Sequence, residues 1–176
     1  MSVSSGYVIV MNSDRAVGQV HQINVKPETA GAHGLPKHSV DRVSLNHMGL
    51  VGDFNRGRHE EANDDPGMAV LLMPLETIRE LNREGWPIHP GDIGENFTTI
   101  GIPYSSFAPG KRYKIGGAVV KITKACDPCS NLYLLPNIGK DKDIVKAMYQ
   151  RRGWYASVEQ EGQAARGDSI EELSSE

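Results

Sequence analysis

The sequence predicts a mostly β, single-domain protein whose short strands close into a barrel, with a few short helices. Three observations predict it. The 176 residues include 19 glycines and 10 prolines, a density of turn formers that favours many short strands over long helices. Apolar residues gather in short runs of strand length. Only two stretches, after Pro74 and around Ile144, carry helical spacing. Many short strands expose many edges, and closing the sheet on itself removes them. One domain is the expectation at this length. A chain of this size buries about 70% of its unfolded surface and needs no disulfide or metal staple to fold.

Taken in order, residues 1–15 read as an irregular, Ser-rich segment, 16–173 as the domain and 174–176 as a frayed, acidic end. Val17, Val20, Ile23 and Val25 mark a first extended segment. His38–His47 alternates, with Val40, Arg42, Ser44 and Asn46 on one face and Asp41, Val43, Leu45 and His47 on the other. Gly49 to Gly57 reads as a glycine-bearing loop carrying Asp53 and Arg56, with Arg58 just beyond. Met68–Met73 is a continuous apolar strand. Pro74 suits a first helical turn, Leu75, Ile78 and Leu81 share a buried face, and Gly85 stops the helix. Short strands follow at Phe97–Ile100, Lys111–Ile115 and Ala118–Lys124. Lys140–Gln150 has a helical pattern, Trp154–Val158 reads as a strand, and Asp168–Leu173 closes the domain.

Composition excludes several classes of function. With 19 basic and 22 acidic residues the formal net charge is −3, without the basic excess of a nucleic-acid binder. The apolar run Tyr7–Met11 is far short of the ~20 residues of a membrane span, and it lacks the charged flank of a signal peptide. The expectation is a soluble, cytoplasmic protein. Several motifs also fail. His59-Glu60-Glu61-Ala62-Asn63 starts like a zinc-protease helix but has Asn63 where the second histidine belongs. Gly110-Lys111 lacks the frame of a phosphate loop, and no nucleophile elbow occurs.

Cys126-Asp127-Pro128-Cys129 remains, the only two cysteines, at the end of a strand. A thiol there is held in place and can bind a soft metal, attack an electrophile or carry a persulfide. Lys121 and Lys124 precede it and are expected to favour the thiolate. A zinc site would need histidines or carboxylates to complete four ligands. A thioredoxin-type pair would need a βαβ setting that the pattern lacks. Two inert buried cysteines are the plain alternative. Gly94-Glu95-Asn96-Phe97 places a carboxylate and an amide at a strand entrance, which turn chemistry alone would also explain.

In order and spacing these pieces resemble the MOSC family, named for the C-terminal domain of molybdenum-cofactor sulfurases. The resemblance runs from about Gly18 to Leu173. It rests on Gly49-Leu50-Val51-Gly52-Asp53, Pro90 to Phe97, Pro109-Gly110 through Ile115-Gly116, Ile122-Thr123 leading to Pro128-Cys129, and Arg152-Gly153-Trp154-Tyr155-Ala156 through to Gly167-Asp168-Ser169-Ile170. It implies a barrel similar to the pyruvate kinase barrel domain. It also implies a motif cysteine, matched by Cys129, that ligates the molybdenum of a molybdopterin cofactor or carries a persulfide. In the amidoxime-reducing relatives that cysteine holds molybdenum where N-hydroxylated compounds are reduced.

Such a cofactor carries a phosphate and a polar pterin, so its pocket needs cations and amide-type groups. Arg56, Arg58 and Arg152 are the forked donors beside matching motifs. Asn96 is a candidate to bond the pterin, Asp53 to orient a guanidinium, and Glu95 and Thr123 lie within matched pieces. The plain reading of these arginines is surface pairing with Glu60, Glu61 and Asp64. Two departures from the family pattern stand out. Cys126 occupies a position where many relatives have a basic residue, adding a second thiol fit for a relay or a disulfide. Residues 57–67 lack a His-Gly-Gly-type segment that borders the site elsewhere. Three functions follow from the resemblance: oxo-transfer with an electron-transfer partner, sulfur carriage from a cysteine desulfurase, or non-catalytic cofactor binding. The chain has no flavin, iron–sulfur or pyridoxal-phosphate motif of its own, so the first two require a partner.

Overall fold

The computed structural model describes residues 17–138 and 143–174. In chain order the strands are β1 (Val17–Val25), β2 (His38–Val40), β3 (Arg42–Asn46), β4 (Gly49–Leu50), β5 (Val70–Pro74), β6 (Phe97–Ile100), β7 (Arg112–Ile115), β8 (Ala118–Ala125), β9 (Trp154–Gln160), β10 (Gly162–Ala165) and β11 (Ser169–Leu173). The helices are α1 (Arg56–Glu61), α2 (Leu75–Arg83) and α3 (Ile144–Ala147), with short 3-10 turns between strands.

Seven strands close a barrel in the order β11-β7-β8-β9-β5-β6-β1, and β1 returns to β11 through Val17↔Glu171, Gly18↔Ile170 and Gln19↔Ser169. Every neighbouring pair in the ring is antiparallel except β5 and β6, which run parallel. A parallel pair needs a crossover, and α2 provides it. A smaller sheet, β10-β3-β4, stands beside the barrel.

Side-chain alternation fixes the core. Val70 and Leu72, Val120 and Ile122, and Ala156 and Val158 are spaced two apart along their strands and meet in one buried cluster with Val20, Ile23, Phe97 and Ile170. Strand β5 is buried along its whole length, which is why its sequence is continuously apolar. Its Met73 joins a second cluster with Ile78 and Leu81 of α2, Ile93, Leu132, and Ile144 and Met148 of the α3 region.

Several sequence expectations need adjustment. His38–His47 is not one strand: β2, paired with β1, ends before Asp41, whose carbonyl accepts from Arg166 N at 2.9 Å, and the chain continues as β3 in the second sheet. The expected loop at Gly49 to Gly57 contains β4 and the start of α1. That helix has no apolar face; Asn55 caps it by accepting from Arg58 N at 3.0 Å. Strand β10, Gly-Gln-Ala-Ala, has no sequence signature and is set by pairing with β3. Of the helix expected over Lys140–Gln150, the described residues 143–150 form Ile144–Ala147, capped by the Asp143 side chain and followed by Gln150 at φ 60°, while residues 140–142 lie outside the described residues. The segment 1–15 and residues 175–176 of the tail lie outside the described residues; Ser174 is in no strand or helix.

Candidate functional site

Strands β8 and β9 pair to their ends, Lys124↔Tyr155 and Ala125↔Trp154, and Cys126 N then bonds Gly153 O at 2.9 Å. This register carries the cysteine loop and Arg152 to the same end of the barrel. There they border a cleft of about 480 Å³. Its other walls come from the His33–Lys37 segment, from Phe54 to Gly57 at the start of α1, from Leu71, and from Ile93 and Gly94.

Cys129 is half-buried at the cap of the 3-10 turn Ser130–Leu134 and lines the cleft. Arg152 is only 8% exposed. Its Nη1 donates to Cys129 Sγ at 3.3 Å and to Asp127 O at 2.8 Å, and its Nη2 reaches Ile93 O at 3.5 Å. Its Nε is buried with no hydrogen-bond partner among the described residues. Gly153 makes this placement possible: it turns at φ 109°, and a Cβ there would fall 2.5 Å from Leu72 O. The lysines expected to serve the thiols do not. Lys124 borders the cleft but pairs with Asp65 at 3.3 Å, and Lys121 lies 3.8 Å from Glu159. Outward strand positions give lysines carboxylates within reach, and the cation against Cys129 is Arg152.

Arg56 also borders the cleft, paired with Glu60 at 2.5 Å and poised 5.5 Å from the Phe54 ring centroid. The other candidates do not line it. Arg58 turns away, its Nη1 donating to Met48 O at 2.5 Å. Thr123 Oγ1 lies 2.5 Å from Gly67 O, bracing β8. Cys126 is buried; burial pushes this thiol up, against the opposing influence of the Arg152 charge and the Tyr155 hydroxyl.

Asp53, Glu95 and Asn96 form a buried polar layer. Asp53 orients an ammonium, not a guanidinium: its Oδ2 pairs with Lys37 Nζ at 2.7 Å and accepts from Asn96 Nδ2 at 2.8 Å, while its Oδ1 accepts from Lys26 N at 2.8 Å. Asn96 Oδ1 accepts from Leu71 N at 3.0 Å, so its amide is spent on the fold. Glu95 Oε1 accepts from Gly91 N at 2.7 Å and Thr98 Oγ1 at 2.8 Å, and its Oε2 has no hydrogen-bond partner among the described residues. Burial raises the Glu95 carboxyl to about 7, against those two bonds and the Lys37 charge. Burial lowers Lys37, with Asp53 opposing. Sequence reading missed Lys37, Phe54 and Tyr155 as cleft residues. Tyr155 stands in the matched Arg152–Ala156 piece, where its neighbour Arg152 drew the attention, whereas Lys37 and Phe54 belong to no spacing motif and only tertiary pairing brings them there.

The MOSC domain pattern matches residues 55–171. The chain belongs to the MOSC family. Solved structures agree on the fold of this MOSC protein. It is similar to the YUAD protein from Bacillus subtilis, at 21% identity and TM-score 0.76, over 92% of this chain and 98% of that one. It is also similar to YiiM from Escherichia coli, at 22% identity and TM-score 0.65, over 92% and 70% of the two chains. YiiM from Geobacillus stearothermophilus aligns at 26% identity and TM-score 0.65, over 89% and 75%. No curated protein matches the chain. No helix among the described residues is long and apolar enough to cross a membrane.

The family is associated with molybdenum-cofactor binding or sulfurase-type chemistry. The residues present fit a cofactor of that kind. The cleft is within the ~300–1,000 Å³ of small-molecule sites. Lys37, Arg56, Lys124 and Arg152 border it, a donor set suited to a phosphate and a polar ring. The Arg152 Nε is a buried donor still unmatched. Among the described residues no three His, Cys, Asp or Glu side chains converge on a protein-only metal site, so the four-ligand zinc arrangement is not assembled here.

Proposed function

We propose that this MOSC protein binds a molybdenum–pterin cofactor in the cleft, with Cys129 as the thiolate ligand, and serves oxo-transfer that reduces N-hydroxylated compounds. The observation that carries the reading is Cys129 Sγ, half-buried in a cation-bordered cleft, with the Arg152 guanidinium 3.3 Å away. When bound, the cofactor supplies two-electron oxo-transfer chemistry, with the electrons coming from a separate partner protein. The chain's own residues bind and orient. Arg152 ties the cysteine loop to the start of β9 and fixes the direction of Sγ. Arg56 and Lys124, whose exposed pairs with Glu60 and Asp65 can exchange, attract an anionic ligand, and Leu71, Ile93 and Pro128 give the cleft a dry side.

A second reading is a sulfur carrier, in which Cys129 receives a sulfane sulfur from a cysteine desulfurase and passes it on. What favours it is the apolar rim immediately after Cys129: Tyr133 is 51% and Leu134 47% exposed, a surface suited to a protein donor.

The test is anaerobic reconstitution with the cofactor, followed by molybdenum and pterin analysis of wild type beside Cys129→Ala. The expected result is stoichiometric metal in the wild type and its loss in the variant. Equal loading of both would reject Cys129 as a ligand and leave a pocket that only binds the pterin. Loading of neither would move the function to sulfur carriage, to be checked as a sulfur-mass adduct on Cys129 after incubation with a desulfurase and cysteine.

A further inference from the structure

Cys126 is unused by the reading above, yet it is placed with care. It follows the last paired residue of β8, and its backbone N–H is tied to Gly153 O at 2.9 Å. Its Sγ lies 3.7 Å from Asp127 O. That same carbonyl accepts from Arg152 Nη1 at 2.8 Å, and Nη1 also contacts Cys129 Sγ at 3.3 Å. Two free thiols, one buried and one reachable from the cleft, are thus gathered around one guanidinium. The two residues between them, Asp127 and Pro128, carry no regular structure.

We propose that Cys126 is the resolving thiol for Cys129: when Cys129 is joined to a low-molecular-weight disulfide, Cys126 displaces the attached thiol and closes a Cys126–Cys129 bond that withdraws the Cys129 sulfur from the cleft. The order of events follows from access. Cys129 faces the cleft, so its Sγ attacks one sulfur of the external disulfide; the S–S bond breaks and one small thiol departs, taking up the proton Cys129 gives up. Cys126 is 2% exposed and screened from direct attack. Its only partner is the mixed disulfide beside it. Its Sγ attacks Cys129 Sγ, the second small thiol leaves with the Cys126 proton, and the intramolecular bond forms. Two protein thiols lose two electrons in all, and one external disulfide becomes two thiols. The Arg152 charge beside the sulfurs stabilises the departing and attacking thiolates. Burial shields Cys126 until that partner arrives, the arrangement of a sensing cysteine beside a resolving one.

The test uses the full chain, anaerobic and reduced, incubated with glutathione disulfide and read by intact mass, peptide mapping and free-thiol counting after quenching. Wild type is expected to lose both thiols and end with Cys126 linked to Cys129 and no glutathione attached. Cys126→Ser is expected to stop as a stable glutathione adduct on Cys129, and Cys129→Ser to keep its remaining thiol free. Cys126→Ala, which buries no new polar atom, repeats the first variant if serine there unfolds the chain. A wild type that retains the glutathione adduct as fully as Cys126→Ser, or that links Cys126 and Cys129 only between two chains, overturns the proposal. The readout is thiol chemistry alone, so it stands apart from whether the cleft binds molybdenum.

Discussion

Arg152 is the residue on which the site turns. A guanidinium that is 8% exposed, with no carboxylate partner in hydrogen-bond contact among the described residues, has given up water for carbonyls and a sulfur. Such a position is costly for stability and typical of function. Lysine cannot reproduce the fork that spans Asp127 O, Ile93 O and Cys129 Sγ. Arg152→Lys should therefore fold but hold pterin at least tenfold more weakly, measured by equilibrium dialysis of the reconstituted protein; unchanged retention would remove Arg152 from the binding site. Arg152→Ala should cost about 1–3 kcal/mol in urea denaturation, the scale of stranded carbonyl acceptors. Glu95 makes a prediction of opposite character. Its carboxyl is raised in the folded protein to about 7 from an ordinary 4.5, so folding binds a proton that the unfolded chain releases. Its contribution is fully present below pH ~4.5 and is lost as pH rises through ~7, amounting to about 3 kcal/mol. Glu95→Gln should flatten the fall in unfolding midpoint between pH 5 and 7.5; an unaltered slope would place the titration elsewhere.

At the level of elements, the β5–α2–β6 crossover and the meeting of β8 with β9 build adjoining walls of the cleft, joined where Leu71 of β5 pairs with Tyr155 of β9. Leu81 of α2 is fully buried in the second core cluster, and Leu81→Ala should cost about 2–5 kcal/mol by leaving a cavity. The comparison that checks the cause is Arg83→Ala on the exposed side of the same helix, which should move the urea midpoint little. Gly153→Ala is a sharper probe of how β9 begins. Positive φ and a Cβ 2.5 Å from the Leu72 carbonyl together force the strand start to shift, so the variant should lose stability and pterin retention at once. Stability lost with retention intact would mean that Arg152 does not depend on this turn.

Across the whole molecule, what was legible in the sequence follows a physical divide. The strand buried on both faces wrote itself as an apolar run at Val70–Met73, β8 showed apolar residues broken by the outward Lys121 and Lys124, and α2 announced itself through Pro74, three apolar residues and Gly85. The Cys129 loop was legible because motif spacing and chain order coincide there. What stayed hidden depends on distant pairing. Gly162–Ala165 becomes a strand only because β3 lies alongside, α1 has no apolar stripe, and Lys37 is a lone cation until Asp53 meets it 16 residues later. Burial of that pair could not be read from either neighbourhood. The joining of β8 to β9 has a final consequence. Sulfur and guanidinium are set by the two strand ends, and the described part of the chain between them is pinned to α2 and β5 through Leu132, Ile144 and Met148. The connection is a keystone: loosening its apolar anchors should disturb the crossover helix and the sulfur–guanidinium pair together.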